Sequence, residues 1–216
     1  MPLGEPPAPA ELARLSGIRL AGRQLHRVFR ADRVSPWWFA SSRPEQGAQA
    51  DAGGRFDLAQ PDGTCYLATS AIGAVLEAFQ DFGHGVLPQA ELRSRRRALV
   101  VAPPSAPVAA ALVSARARGL GVTQALWAGA AHGLTQRWAR ALRRAGWLAL
   151  WTGAQHDPTG RTRSVSLFDE AGEHLPYGDS AWQVEVLSLA DDPDIVAGLA
   201  RYGVQVLADI DPPFVP

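Results

Sequence analysis

Lysine is missing from this 216-residue chain, and all 21 basic residues are arginine. Without lysine there is no Schiff-base chemistry and no phosphate-binding P-loop lysine. Any anion must therefore be held by arginine, histidine, backbone N–H groups or helix ends. Cysteine is limited to Cys65, which excludes an internal disulfide and a cysteine-based zinc site within one chain.

An excess of either charge is also missing, because 21 acidic residues balance the arginines. General nucleic-acid binders usually carry a large basic excess, so direct binding of nucleic acid is not expected. No run approaches 18 consecutive apolar residues, and the acidic, proline-rich start lacks the parts of a secretory signal. We therefore expect a cytoplasmic protein with no membrane partner.

The length suits one domain with a full hydrophobic core. We expect residues 1–15 to form a partly flexible lead-in and residues 16–216 to form a single domain. Helical and strand patterns are mixed without a regular βαβ alternation. This mixture favours an α+β fold, with small mixed or antiparallel sheets and flanking helices, over a doubly wound sheet.

Periodicity and turn residues predict the individual elements. The predicted strands span 24–29, 64–69, 98–102, 147–152, 164–168 and 204–208. The predicted helices span 71–81, 123–130, 135–144 and 193–202, with a short one beginning at Pro9. Ser70 suits the N-cap of the first of these. Polar loops are expected over 41–54 and 153–163, and the basic run from Arg93 to Arg97 is expected to be solvated or to face a partner.

The segment from Gly53 to Glu77 holds the strongest candidates for chemistry. Two glycines before Arg55 let the backbone turn tightly, and the arginine offers a planar fork that suits a phosphate. Tyr66 lies on a strand face with small residues, where it could stack on a ring or donate a hydrogen bond.

Glu77 lies on the helix face opposite the apolar stripe, beside small residues that would let a ligand or another surface approach. Spacing alone also fits a solvated carboxylate. Gly73 in mid-helix, which costs about 1 kcal/mol relative to alanine, favours the close approach.

Several known catalytic signatures are absent from the sequence. It contains no G-x-S-x-G, H-E-x-x-H, P-loop or G-x-G-x-x-G motif. The five histidines are scattered without metal-ligand spacing, so no metal site is expected.

Four short segments, taken in order, resemble the RES-domain family, named for its Arg, Glu and Ser residues. They are Leu25–Phe29 around Arg27, Gly53–Phe56, Tyr66–Ser70 and Ala74–Glu77. The steps of eleven residues from Arg55 to Tyr66 and from Tyr66 to Glu77 match the family's spacing. Thr135–Ala139 is similar to its tryptophan helix and 147–168 to its "GLxYxS … LF" region, so the resemblance covers most of residues 20–208.

This resemblance implies an ADP-ribosyltransferase-like fold and destruction of NAD at the nicotinamide–ribose bond, by phosphorolysis or hydrolysis. The enzyme would be an NAD phosphorylase (a transferase) or an NAD glycohydrolase. NAD would be the substrate, with inorganic phosphate as an optional co-substrate and no tightly bound cofactor. Many members are toxins neutralised by a helical Xre-type antitoxin, which is the expected partner. A homo-oligomer is a further option.

The resemblance also implies roles for single residues. Arg27 and Arg55 would hold the pyrophosphate of NAD, Glu77 would stabilise the cationic ribose, and Tyr66 would position the ribose or nicotinamide. The family's serine is replaced by Thr152, which keeps the hydroxyl and adds a methyl group, while Ser164 and Ser166 are nearby substitutes. Gly153 and Ala154 follow where the family often has arginine.

A purely structural role also remains open for these residues. The two arginines could pair with Asp32, Asp57 or Glu77, and Tyr66 could be a core residue. Two other functions also remain open, namely transfer of ADP-ribose to a macromolecule and nucleotide or partner binding without catalysis.

Overall fold

In this computed structural model, the described residues are 2–42, 53–79, 85–129, 132–157, 159–175 and 181–209. The strands of this part of the chain are β1 Gly17–Arg19, β2 Gln24–Arg30, β3 Trp38–Phe39, β4 Ser41–Ser42, β5 Leu58–Ala59, β6 Asp62–Ala68, β7 Val86–Pro88, β8 Arg95–Val101, β9 Val108–Ala111, β10 Ala149–Gly153, β11 Arg163–Glu170, β12 Gly172–Glu173, β13 Gln183–Ser188 and β14 Gln205–Leu207. The helices are α1 Pro9–Leu12, α2 Ala71–Ala78, α3 Gln89–Arg93, α4 Ala115–Gly119, α5 Ala125–Ala128, α6 His132–Arg144 and α7 Pro193–Arg201.

One eight-stranded sheet, in the order β1-β9-β10-β11-β6-β2-β8-β13, forms the centre of the molecule. Its neighbours are antiparallel except β9 and β10, which are parallel. Three two-stranded ribbons accompany it, β12-β3, β14-β7 and β4-β5. The predicted α+β fold is confirmed, although one large sheet takes the place of the small sheets that we expected.

The large sheet is split between β2 and β6. These two strands pair at a single position, His26 with Ala68. By contrast, β6 pairs with β11 over seven positions and β2 pairs with β8 over seven. The sheet therefore consists of two well-paired halves that are joined at one point and diverge away from it.

The two faces of this sheet are covered by different parts of the chain. Strand residues that alternate along β2, β6, β10 and β11 pack on one face against Trp37, Phe39 and Trp182. The opposite face carries two groups of helices. Helix α6 and its neighbours pack over β10 and β11, and α2 packs with α7 and β7 near β2. The space between these groups lies over the split in the sheet.

Helix α2 begins as predicted. The Ser70 side chain accepts a hydrogen bond from the Gly73 N–H at 3.1 Å and caps the first turn. Val75 and Phe79 are buried against Leu199 of α7 and its neighbours. The helix ends at Ala78, and residues 80 and 81 of the predicted span lie outside the described residues.

Helix α6 also has the predicted faces. Trp138 and Leu142 are completely buried, while Arg137 and Arg143 form ion pairs with Glu5 and Asp62. The N-terminal segment packs on this helix, since Gly4 accepts a hydrogen bond from the Trp138 indole N–H at 2.8 Å. The domain boundary at residue 15 stays a prediction.

Several boundaries differ from the sequence prediction. Strand β8 begins at Arg95, three residues earlier than expected, and β1, β9 and β13 were not predicted. Ser41 and Ser42 form β4 at the start of the predicted 41–54 loop, of which residues 43–52 lie outside the described residues. Among the helices of the described residues, none is long and apolar enough to cross a lipid bilayer.

Candidate active site

A cavity of about 290 Å³ lies over the split in the sheet, between the two groups of helices. Its floor comes from β2, β6, β10 and β11, and α2 forms one wall. The turn at Gly54–Phe56, with Trp127 of α5 and His132 of α6, forms the opposite wall. The predicted residues Arg27, Arg55, Tyr66, Glu77 and Thr152 all line this cavity.

Hydrogen bonds hold the Gly53–Asp57 turn tightly. Asp57 Oδ2 accepts from the Gly54 N–H at 2.6 Å, and Gly53 has a φ of 104°, which favours glycine. A Cβ atom on Gly54 would lie 2.7 Å from the Tyr66 hydroxyl. The two glycines thus let the turn approach β6, and this close approach fixes the backbone of Arg55.

The Tyr66 hydroxyl forms hydrogen bonds with the protein itself. It donates to Asp57 Oδ1 at 2.7 Å and accepts from the Phe56 N–H at 2.9 Å. Burial and the Asp57 carboxylate raise its pKa well above the ordinary value. The hydroxyl therefore stays neutral and anchors the arginine turn, while the side chain lines the cavity.

Asp57 is the buried acid of this network, with 2% of its surface exposed. Burial raises the pKa of its carboxyl, while the hydrogen bonds from Tyr66 and Gly54 act in the opposite direction. The sequence suggested Asp57 as an ion-pair partner of an arginine. In the structure it instead accepts from a hydroxyl and a backbone amide.

Arg55 projects across the cavity wall. Its guanidinium donates to the Gly129 carbonyl and to Gln155 Oε1, the latter at 2.8 Å. Burial lowers the pKa of Arg55, and the nearby Glu77 carboxylate raises it. The predicted juxtaposition of a fixed arginine and Glu77 is therefore present.

Glu77 lines the cavity from the last turn of α2. Its Oε1 accepts a hydrogen bond from the His156 N–H at 3.2 Å. The glycine at position 73 on the same helix is explained by a different contact, because a Cβ atom there would lie 2.4 Å from Thr162 Cγ2. The small face of α2 thus admits the start of β11 as well as the cavity.

Thr152 and Ser164 form a pair of hydroxyl-bearing residues on the cavity floor. They lie opposite each other on β10 and β11, and Thr152 Oγ1 donates to the Ser164 carbonyl at 3.4 Å. Both line the cavity, whereas Ser166 pairs with Leu150 further along and is fully buried. Ser164 is therefore the serine placed to act beside Thr152.

Arg27 lies on the other face of β2. Its strand neighbours Leu25 and Phe29 belong to the core beneath the sheet, and alternation puts Arg27 on their side. Its guanidinium donates to the Trp38 carbonyl at 2.9 Å, to the Tyr66 carbonyl at 3.4 Å and to Cys65 Sγ. Arg27 thus bridges the split from below, and it is also one of the residues that line the cavity.

The cavity also contains residues that sequence reasoning did not select, namely His26, Arg95, Trp127, His132 and Gln155. Arg95 belonged to the basic run that we expected to be solvated or partner-facing. Trp127 packs where Gly153 has no side chain, since a Cβ there would lie 2.3 Å from its Nε1. For Arg95, the alternation of side chains along β8 could have indicated its face of the sheet. The positions of the other four residues depend on tertiary contacts.

Two further residues near the cavity affect its charge. Burial and the neighbouring Arg97 lower the pKa of His26, which favours the neutral imidazole. Arg97 itself pairs with Asp192 at 2.7 Å in a largely buried contact, so this member of the basic run is not solvated. No group of three or more His, Cys, Asp or Glu side chains within the described ranges is arranged to hold a metal ion.

Comparison with known families identifies the family of this chain. The RES-domain model matches residues 24–186, which is most of the chain. The chain belongs to the RES-domain family. The match includes every residue that was predicted for the site, from Arg27 to Thr152. A search of curated protein sequences gave no match.

A solved structure supports the same fold for this RES-domain chain. It comes from the crystal structure of the M. tuberculosis MbcT–MbcA toxin–antitoxin complex. The two chains share 14% sequence identity with a TM-score of 0.55, and the match covers 89% of this chain and 94% of the other. At this identity the likeness establishes a shared fold.

Proposed function

We propose that this RES-domain chain degrades NAD by breaking the bond between nicotinamide and ribose, and that it is the toxin of a toxin–antitoxin pair. The observation that carries the proposal is the single cavity that gathers Arg55, Tyr66, Glu77 and Thr152. Family membership and the fold shared with a toxin–antitoxin structure support the same coarse assignment.

The reaction breaks one C–N bond and forms one C–O bond. Nicotinamide is cationic in NAD, so it takes the bonding pair and leaves as a neutral molecule without a proton from the enzyme. Inorganic phosphate then adds to the ribose carbon to give ADP-ribose 1″-phosphate, or water adds and releases a proton to give ADP-ribose.

Glu77 is the group placed to stabilise the transition state. The ribose develops oxocarbenium-like positive charge as nicotinamide leaves, and a carboxylate about 4 Å away would attract it by about 4 kcal/mol at an effective dielectric of about 20. About 2.7 kcal/mol is already a hundredfold in rate. The backbone N–H of His156 binds one Glu77 oxygen, and no donor among the described residues binds the other.

Arg55 and the two floor hydroxyls fill the remaining roles. Arg55 places a fixed positive charge beside the polar part of the nucleotide, held there by Gln155 and the Tyr66-anchored turn. Thr152 and Ser164 would orient the attacking phosphate or water. Arg27 adds its charge from below the sheet, while its donors bind the protein's own carbonyl groups.

The proposed partner is a helical antitoxin that limits this activity. The structural likeness to a chain of the MbcT–MbcA toxin–antitoxin complex is the reason to expect one. Co-expression with a small helix-turn-helix protein encoded by an adjacent gene would test the pairing, and loss of toxicity on co-expression is the expected result.

Release of nicotinamide from NAD tests the catalytic proposal. The purified chain is incubated with NAD, with and without inorganic phosphate, and the products are separated as ADP-ribose or its 1″-phosphate. E77Q should lower turnover by about a hundredfold or more, because the amide can still accept from His156 but carries no charge. E185Q, an exposed glutamate on β13, is the matched control and should keep full activity.

Three outcomes would count against this assignment. Folded wild-type protein that releases no nicotinamide under either condition would refute the catalytic proposal. Full activity of E77Q would refute the role of Glu77. Labelled ADP-ribose recovered on protein or nucleic acid would indicate transfer to a macromolecule instead.

A further inference from the structure

Both arginines predicted to hold phosphate use several of their N–H groups to bind the protein itself. Arg27 donates to two backbone carbonyls and to Cys65 on the far face of β2. Arg55 donates through both terminal nitrogens to Gly129 and Gln155. Each of them therefore has fewer N–H groups left for a phosphate than an arginine that binds no other group of the protein.

Arg95 lies on the correct face of the sheet for this role. In β8 it lies on the same face as Arg97 and Leu99. These two residues pair with Val28 and His26, which line the cavity floor. Ala98 and Val100, on the other face of β8, belong to the core beneath the sheet. The Arg95 side chain thus projects to the same side as α2, and it lines the cavity together with Glu77 and Ala78.

The neighbouring arginines are neutralised, whereas Arg95 is not. Arg30, its cross-strand partner, binds Asp32 through two hydrogen bonds, and Arg97 binds Asp192. Within the described part of the chain, no side chain or carbonyl accepts a hydrogen bond from the Arg95 guanidinium. Its neighbour is the Phe79 ring, whose centroid lies 5.8 Å from Cζ and supports the guanidinium by a cation–π contact.

We propose that Arg95 is the phosphate-binding arginine of this cavity, a role that rests on the proposed NAD-degrading function. Its planar fork can bind two phosphate oxygens, and its half-buried position puts that phosphate in the same cavity that Glu77 lines. The phosphate belongs either to the pyrophosphate of the dinucleotide or to the inorganic co-substrate. Both sources present the same oxygen atoms to the guanidinium.

Kinetics of R95Q distinguish the two sources. NAD is compared with nicotinamide riboside, which has the same scissile bond but no phosphate, and the concentration of inorganic phosphate is varied for both. A contact with the dinucleotide should raise the KM for NAD by about tenfold or more and leave nicotinamide riboside unaffected. A contact with the co-substrate should raise the KM for inorganic phosphate with either substrate.

R96Q is the matched control, because Arg96 is exposed and alternates to the opposite face of the same strand. It should leave all these constants unchanged. Equal losses with NAD and nicotinamide riboside at an unchanged KM for phosphate would indicate a structural role and overturn the proposal. Unchanged constants in R95Q would overturn it as well.

Binding without catalysis separates this inference from the proposed function. Calorimetric titration with ADP-ribose and with inorganic phosphate should show weaker binding of at least one of them to R95Q than to the wild type and R96Q. If the wild type releases no nicotinamide but shows this difference, the catalytic proposal fails and the Arg95 site stands. If R95Q binds both compounds like the wild type, the Arg95 site is refuted even if NAD is consumed.

Discussion

The Asp57 carboxyl links the stability of the molecule to the geometry of the cavity. It accepts from Tyr66 and from the Gly54 N–H, and these contacts fix the turn that carries Arg55. Its pKa lies above the ordinary value of 3.8 because the carboxyl is buried. The folded chain therefore binds this proton more tightly than the unfolded chain does.

This raised pKa predicts a pH-dependent difference between the wild type and D57N. The stabilisation due to proton binding is fully present below the unfolded pKa and is lost as the pH rises through the folded pKa. The unfolding free energy of the wild type should therefore fall relative to that of D57N as the pH rises from below 3.8. Urea denaturation of both proteins across this range measures the difference, and a difference that grows in favour of the wild type would contradict the argument.

At the residue scale, the sequence was sufficient to select Arg55, Tyr66, Glu77 and Thr152 for one cavity, since local patterns indicated the first three and the family resemblance added Thr152. It was not sufficient for Arg27 and Arg95. The parity of Leu25, Arg27 and Phe29 already puts Arg27 on an apolar strand face. That this face lies opposite the helices and the main part of the cavity is known only from the strand register in the structure. Contacts such as Trp127 over Gly153 require the tertiary structure.

At the scale of elements, the strongly periodic segments were predicted and the weakly patterned strands were not. Helix α6 and strand β6 show clear apolar stripes or alternation. Strand β13 is exposed along most of its length, and β8 begins with three arginines. Neither segment therefore shows the alternation of a half-buried strand. Pairing with β2 and an ion pair to Asp192 allow arginines in β8.

The contact between α2 and the start of β11 gives a prediction at this scale. In G73A the new methyl group would meet Thr162 Cγ2 at 2.4 Å and Ser70 Oγ at 2.8 Å. Overpacking of this kind costs about 1–3 kcal/mol, which offsets or exceeds the gain of about 1 kcal/mol in helix propensity. We expect G73A to lower the free energy of unfolding and, by shifting α2, to weaken any activity that depends on Glu77.

G119A provides the matched control. Gly119 is also a helical glycine, the last residue of α4, but a Cβ atom there would meet nothing within 4 Å. Chemical denaturation should show G119A to be as stable as the wild type or slightly more stable. If G73A behaved in the same way, α2 and β11 would not be in the close contact that the structure describes.

At the scale of the whole molecule, the split sheet and its two groups of helices define the cavity together. One wall is formed by α2, which packs on α7, and the other by α5, α6 and the Arg55 turn. Thr135 of α6 donates to the Arg55 carbonyl at 2.5 Å, and Gln136 donates to the Gly54 carbonyl at 3.1 Å. Anything that loosens α6 should therefore disturb the Arg55 turn.

The N-terminal segment supports α6 from outside, and its removal tests this dependence. Deletion of residues 1–7 removes the Gly4 carbonyl from the indole of Trp138, a completely buried residue, and removes the packing of Leu3. The lost hydrogen bond contributes about 0.5–1.5 kcal/mol, and the lost apolar contacts of Leu3 add to this. Thermal unfolding should thus show a clear loss of stability, and NAD turnover should fall with it if the Arg55 turn loosens. R137Q is the control, because it breaks the solvent-exposed pair with Glu5 and should change stability much less. A deletion as stable as R137Q would mean that the segment covers α6 without supporting it.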